Sequence, residues 1–498
     1  MLNQLHTYCK QQFSLDTRAL SIMRICLGFV LLADWIIRIN SLTAHYTNSG
    51  VLPADVIYAH HWREGYFSVF LLSDSIEWCY FLFFTAIVFS FFFLIGYFTR
   101  FSTFVVWILI SSGHIRNPFI IQGGDDLLRI ALFWFLFLPL AKQYSVDAFY
   151  LEKKKETKVF NAASIGYILF IFSAYFFSAL LKTSAEWRTE GTALYYAMSL
   201  DQMAYPLGKA LLNYPTLMKY LSIGVFYLEI IAPLLFFIPI NNKLFRTIGI
   251  LLLMLLHVGI GFTLFVGLFY IIGISTLVGI LPTEIINWKI SKIPTCIKNI
   301  QFFYFLNKLL PSFISVRTFG NKLMNRISNF YTQSLLTFSL LFIMYLCILW
   351  NISTIRGSNV AVTNSFKKII VALGLYQDWG MFAPSVLKND GWFVLDAHSK
   401  TNKQIDIYKE GILTSYNKPH SILKYIKDDR WRKFEENYTM PEYAYIRTFY
   451  CNYLLNNWNK NHLEKIDSLS IIYMKERTLP DYQQIIPTKE ILCTCKTH

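Results

Sequence analysis

The chain has 498 residues, of which 54% are hydrophobic, 17% aromatic and only 15% charged, with a mean hydropathy of +0.39. That balance excludes an ordinary soluble globular protein and indicates a polytopic α-helical membrane protein. In such a protein a net charge of +15 marks basic cytoplasmic loops, so nucleic acid is not an expected partner and membrane lipid is.

The first residues, MLNQLHTYCKQQFSLDTR, lack the apolar core and small-residue cleavage site of a secretory signal, so the N-terminus is expected to be retained. A spanning helix needs about 20 mostly apolar residues. About nine segments qualify, near 19 to 39, 76 to 97, 101 to 115, 127 to 141, 160 to 182, 218 to 239, 244 to 261, 262 to 281 and 333 to 353; the third, fourth and seventh are short.

Positive-inside bias gives an independent check. Residues 142 to 159 hold Lys142, Lys153, Lys154, Lys155 and Lys158, and residues 282 to 332 hold Lys289, Lys292, Lys298, Lys308, Arg317, Lys322 and Arg326. Both loops are expected in the cytoplasm. Residues 41 to 75 carry Arg63 against Asp55, Glu64 and Asp74, and residues 183 to 217 carry only Arg188 and Lys209, so both are expected outside. Nine helices with a cytoplasmic N-terminus satisfy every loop. The chain then divides into a membrane domain, 1 to 353, and an extracytoplasmic domain, 354 to 498.

That tail reads as a small α+β domain. GWFVLDAHSKTNKQIDIYKEG has two alternating runs around a polar turn, which predicts a hairpin. Tyr443, Ile446, Phe449, Tyr450, Tyr453, Leu454 and Trp458 recur at helical spacing, and LSIIYM predicts a further strand. Cys26, Cys79 and Cys347 lie in or beside apolar runs and read as packing residues. Cys451, Cys493 and Cys495 fall outside, where disulfides form; CTCKTH, with His498, leaves a metal site as the alternative.

Within the spans, polar residues stand out. FFSALLKTSAEW ends the fifth apolar run with Lys182 and then Trp187. A lysine there either snorkels to the headgroups with Trp187 as an interfacial anchor, or turns inward as a functional amine. GHIRNPFIIQGGDDLLR brings His114, Arg116, Asn117, Asp125, Asp126 and Arg129 to the same level, and LLLMLLHVGIGF carries His257 toward it. Gly123 and Gly124 permit a tight turn, with Asp125 or Asp126 orienting Lys182 or Arg116; alternatively the two aspartates serve a helix N-terminus. HHWREG reads as an outer surface or gating segment.

These features together resemble the horizontally transferred transmembrane domain shared by vitamin K-dependent gamma-carboxylases and their bacterial homologues. YFFSALLKTSAEWRTEG is similar to the stretch carrying the carboxylase's essential lysine, and LLHVGIGFTLFVGLF to the helix presenting a functional histidine. YSVDAFY resembles the cytoplasmic turn of that domain, and LYQDWGMFAPSVLKNDGWFVLDA, with Gln377, Trp379, Phe382, Ala383 and Pro384, its outer segment after the last helix. One departure is plain: QGGDD stands where the animal enzymes have Asn-Asn-His, so their second functional histidine has no counterpart.

The resemblance implies an enzyme in which Lys182 and His257 are catalytic, while Arg116, Asn117, Asp125, Asp126, Arg129 and Trp187 bind or orient substrate and cofactor. It implies reduced vitamin K or menaquinone as cofactor, with oxygen and carbon dioxide as co-substrates. Lys182 would deprotonate the quinol, and oxygen would convert the resulting anion into a base strong enough to take a glutamate gamma-proton from an exported peptide or protein. It also implies residence in the bacterial cytoplasmic membrane. Two other classes stay open: a nonenzymatic accessory factor for an exported peptide, and a transporter. No phosphate-binding glycine loop, His-Glu-x-x-His zinc signature or Gly-x-Ser-x-Gly elbow is present in the sequence.

Overall fold

The computed structural model describes residues 2–149, 157–290, 330–399, 403–480, 483 and 486–497. Among them, apolar helices follow one another as α1 (Thr17–Ile39), α2 (Ile76–Ile95), α3 (Thr99–Arg116), α4 (Gly123–Phe135), α5 (Ala162–Leu181), α6 (Pro215–Leu234), α7 (Asn242–Thr263), α8 (Phe269–Val278) and α9 (Phe330–Thr354). Six of these, α1, α2, α5, α6, α7 and α9, are long and apolar enough to cross a membrane. Their flanks expose Phe84, Ile231, Leu255, Phe262 and Phe338, as lipid-facing surfaces do.

The expected segments 127 to 141 and 262 to 281 form shorter helices than the sequence implied. At about 1.5 Å per residue, α4 and α8 are roughly 20 and 15 Å long, short of the ~30 Å hydrocarbon layer. The first gives way after Phe135 to tighter turns with bonds three residues back, and these end at Leu138, where the following Pro139 disfavours helical backbone. The second starts late, after Gly267 at φ +56 breaks the chain. Both pack against each other inside the bundle, and every α4 residue from Leu127 to Phe135 is buried.

Side chains tie the helix ends into two rims. At one rim, Arg24 of α1 donates to the last carbonyls of α2, at Phe93 and Leu94. Asp147, in the YSVDAFY turn, accepts from the first amides of α3 at 3.2 and 2.9 Å. Arg246, near the start of α7, reaches the Gln12 carbonyl at 3.2 Å. At the other rim the end of α1 meets the start of α4 through Arg38 and Asp125, 2.7 Å apart. Of the expected basic loops, Lys153, Lys154, Lys155, Lys292, Lys298, Lys308, Arg317, Lys322 and Arg326 lie outside the described residues, as do Tyr150 and His498.

The C-terminal region builds a five-stranded antiparallel sheet over that second rim. Its strands are β1 (Asn389–Ser399), β2 (Gln404–Asp406), β3 (Ile412–Leu413), β4 (Ile466–Arg477) and β5 (Thr488–Lys496), in the order β3-β2-β1-β4-β5. The expected hairpin is β1–β2, and LSIIYM lies in β4. Helices α10 (Asp429–Thr439) and α11 (Arg447–Asn461) belong to the same domain, and α11 packs on β4 and β5. Phe434, Tyr450, Leu455, Leu469 and Ile471 fill its core, while Trp392, Val394 and Ile472 belong to a second cluster against which Phe265, from the α7–α8 connection, packs. Cys451 of α11 and Cys495 of β5 form a disulfide, leaving Cys493 as a free thiol.

Candidate functional site

Lys182 closes the last turn of α5 as its C-cap. Its amine is buried, with the residue only 3% exposed, and donates to Glu229 Oε2 of α6 at 2.6 Å and to Ser178 Oγ at 2.8 Å. The ring of Trp187 lies 5.2 Å away, and Arg188 Nε donates to the Lys182 carbonyl at 2.9 Å. After Lys182 the chain makes a short helical turn, Ala185–Arg188, which tucks Trp187 under the protein. Its indole donates to the Phe382 carbonyl at 2.9 Å, so Trp187 is a packed wall of the site and not an interfacial anchor. A buried amine needs a compensating partner, and Glu229 supplies it.

Tyr175, Ser178 and Lys182 are spaced three and four residues apart, which puts them on one face of α5. One end of that face meets α7: the Tyr175 hydroxyl and His257 Nε2 are 2.7 Å apart. His257 is buried, and its Nδ1 has no hydrogen-bond partner among the described residues. Gly273 of α8 makes room for this ring, because a Cβ there would fall 2.1 Å from His257 Cε1. Lys182 and His257 therefore connect to opposite ends of one polar stripe, Glu229–Lys182–Ser178 and Tyr175–His257.

The residues of the 116 to 129 segment gather elsewhere. Asp125 accepts from Arg38 of α1 at 2.7 Å and from Arg430 of α10, which also donates to Asp34 of α1 at 2.7 Å. Asp126 pairs with Arg129 at 2.6 Å, and Arg129 extends to the carbonyls of Gly374 and Tyr376 at 2.9 and 2.6 Å. Arg116 donates to the Leu52 carbonyl at 2.9 Å, and Asn117 reaches His45 at 3.3 Å. The expectation that Asp125 or Asp126 orients Lys182 or Arg116 is thus corrected, since each aspartate has a nearer cation. The turn reading of Gly123 and Gly124 is corrected as well: both are helical, at the start of α4, where Asp125 completes a capping box with Gln122. Their smallness admits Met381 and the backbone of Phe269, at 2.3 and 3.1 Å from a would-be Cβ.

Glu229, Tyr175 and Ser178 escaped the sequence reading. Glu229 carried a usable signal, since a lone carboxylate inside FYLEIIAPL is as costly in lipid as a lone lysine. Asp34, Arg38 and Arg430 form their network across the two domains. The first two carried the same signal, one helical turn apart in α1; Arg430, in a polar helix, carried none.

The segment Gln377–Pro384 clasps the site from above. Trp350 of α9 donates to the Gln377 carbonyl at 2.9 Å, Trp379 to Gln377 Oε1 at 2.8 Å, and Ser184 N to the Pro384 carbonyl at 3.2 Å. Beside it lies a cavity of about 820 Å³, whose wall includes Leu181 and Thr183 but neither Lys182 nor His257. Fold and site together define a helical protein with membrane-spanning character, holding a buried lysine–glutamate pair beneath a C-terminal α+β domain. No protein-family model, curated protein or solved structure matches the chain.

Proposed function

We propose that the protein is an integral membrane quinol epoxidase of the vitamin K-dependent gamma-carboxylase type, coupling epoxidation to carboxylation of glutamates on an exported peptide or protein. The observation that carries the reading is the buried Lys182 amine, 2.6 Å from Glu229 and on one helix face with the tyrosine that holds His257. The Glu229 carboxylate is the nearest acceptor for a proton on that amine.

The chain crosses the bacterial cytoplasmic membrane nine times in this reading, with a cytoplasmic N-terminus and an extracytoplasmic C-terminal domain. Two observations support it. The ends of α1, α2, α3 and α4 alternate between the two rims, so the short helices continue the up-and-down path. The Cys451–Cys495 disulfide favours an oxidising compartment for the sheet domain.

The fit of a quinone rests on His257, whose buried Nδ1 is free to meet a ring oxygen. A reduced quinone, when bound, supplies the electrons that turn oxygen into one epoxide oxygen and one water, and with them a base able to remove the glutamate gamma-proton. Lys182, once its own proton has passed to Glu229 Oε2, would accept the next one at Nζ. Ser178 and the Trp187 ring fix the amine in place. Tyr175 fixes the His257 ring, and Trp187 with Phe382 keeps water from the amine.

One observation favours the second reading, a nonenzymatic accessory factor: the amine is already engaged by Glu229 and Ser178, as in a purely structural ion pair. Purified protein in lipid nanodiscs, given reduced menaquinone or vitamin K and oxygen, separates the two. Quinone epoxide detected by mass spectrometry with the native chain and lost in Lys182→Ala supports the enzyme. Absence of epoxide with well-folded native protein and an added glutamate peptide moves the accessory reading ahead.

A further inference from the structure

The cavity of about 820 Å³ lies between the outer rim of the bundle and the sheet domain, and the proton chemistry proposed above does not use it. Its size is that of a ligand pocket. Its wall is cationic: Arg63, Arg129, Arg356 and Lys433 face Asp126 and Asp378. The two aspartates are already engaged, Asp126 by Arg129 at 2.6 Å and Asp378 by the Gly380 amide at 2.8 Å. Lys433 is held by Glu436 at 2.7 Å. Arg63 and Arg356 remain, and neither meets a carboxylate among the described residues; the neighbouring Glu64 is taken by Lys368 at 2.8 Å.

One histidine of the wall adds nothing to this charge. His61 bonds the Tyr445 hydroxyl at 2.5 Å, and burial pushes it down to about 4, so its ring is neutral at physiological pH. Trp62, Tyr66 and Trp350 add aromatic wall of the kind found at headgroup level. One wall is the outer end of α9, through Trp350 and Thr354. That helix is the least buried of the six long ones, with Leu335, Phe338 and Tyr345 exposed along it. An acyl chain lying on this flank would bring its headgroup to Arg356.

We propose that this cavity binds a phosphate-bearing anion through Arg63 and Arg356, and that the occupant is the headgroup of an anionic membrane lipid. Two guanidinium groups suit a phosphate, which each can meet with two parallel hydrogen bonds. The apolar flank of α9 favours a lipid over a free anion, because it provides the surface that the chains of a lipid need.

The test uses the full chain and its Arg63→Gln/Arg356→Gln variant. Both arginines are exposed and without carboxylate partners, so their loss leaves the fold intact, which circular dichroism checks; Arg63→Lys/Arg356→Lys retains the charge and should retain part of the binding. Protein in phosphatidylcholine nanodiscs is titrated with phosphatidylglycerol, and retained lipid is read by native mass spectrometry. The native chain is expected to keep the anionic lipid and the glutamine variant to bind it about thirtyfold more weakly, from ~1 kcal/mol per arginine near the surface. Glycerol 3-phosphate in purely zwitterionic discs is the second arm. Equal arginine-dependent stabilisation by that soluble anion would replace the lipid with a free phosphate ester. Equal lipid retention by the native and glutamine chains, or arginine-dependent binding of an oligoglutamate peptide instead of lipid, would overturn the assignment.

Discussion

Lys182 Nζ stands 2.6 Å from Glu229 Oε2, joining the C-terminal end of α5 to the C-terminal half of α6 with both side chains shielded from solvent. Each side chain meets its opposite charge in the other, inside the helix bundle. Its polar neighbours, Ser178 and Tyr175, run down the same face of α5 toward His257.

Removing one member of this pair leaves the other buried without compensation. Lys182→Met and Glu229→Leu are each expected to destabilise the protein by about 3–5 kcal/mol, while the double variant recovers most of the loss. Thermal melting in nanodiscs measures all three. Losses that simply add would mean the two side chains do not stabilise one another.

The position of the His257 ring depends on Gly273. An alanine Cβ there would lie 2.1 Å from the imidazole, so Gly273→Ala must push the ring off Tyr175. Overpacking of this kind costs about 1–3 kcal/mol. Epoxide formation should fall at least about tenfold, the effect of losing ~1.4 kcal/mol of transition-state stabilisation. Gly259→Ala is the control, because its Cβ would meet nothing within 4 Å. Equal activity of the two variants would remove His257 from the site.

The parts of this arrangement that sequence exposed are those with a local signature. Lys182 and His257 each interrupt an apolar run, and hairpin β1–β2 and helix α11 announce themselves by period. Glu229 had the same signature as Lys182, yet its pairing depends on how α5 and α6 pack, which spacing along the chain does not encode. The Asp34–Arg38–Asp125–Arg430 network is less accessible still, since Asp34 and Arg430 are 396 positions apart. Asp125 reads locally as a helix N-terminal residue, and that role is fulfilled; its second role, as an ion-pair partner of two arginines, comes from the domain docked above it. Helices α4 and α8 carry apolar runs that pack inside the bundle, so hydropathy alone could not separate a short packed helix from a full span.

Arg430 is one of several connections between the sheet domain and the bundle, and it is the one built on charge pairs to α1 and α4. It donates to Asp34 and Asp125 together, and Arg38 is the only other cation that bonds both carboxylates among the described residues. Arg430→Met should leave the two acids under-compensated and loosen α10 from α1. Breaking such a buried network costs about 3–5 kcal/mol. Faster hydrogen exchange in α10 and at the end of α1, with α11 and the sheet unchanged, is the expected pattern. Unchanged exchange in α10 would show that the domain is held by its apolar contacts instead. Arg430→Lys should rescue only in part, because an ammonium cannot match the forked geometry of two carboxylates.

Glu435 makes the stability of the sheet domain depend on pH. It lies buried in α10, where desolvation pushes its carboxyl up to about 8 against hydrogen bonds from Tyr408 and Tyr450. The folded protein therefore holds a proton there that the unfolded chain, with an ordinary value of 4.5, has released. The sign follows from linkage: between those two values the folded state binds more protons, so stability falls as pH rises. Asp390, pushed up to about 7 by burial and by the nearby Asp201, acts in the same direction. The contribution is fully present below the unfolded value and is lost as pH rises through about 8. The native domain should melt at a lower temperature at pH 8.5 than at pH 6, a window in which ordinary carboxylates do not titrate. Glu435→Gln, which keeps the shape and a hydrogen-bonding carbonyl, should flatten this slope, with Asp390 accounting for the remainder. Melting followed by Trp431 fluorescence measures it, and a slope unchanged in the glutamine variant would show that Glu435 is ionised in the folded domain throughout that range.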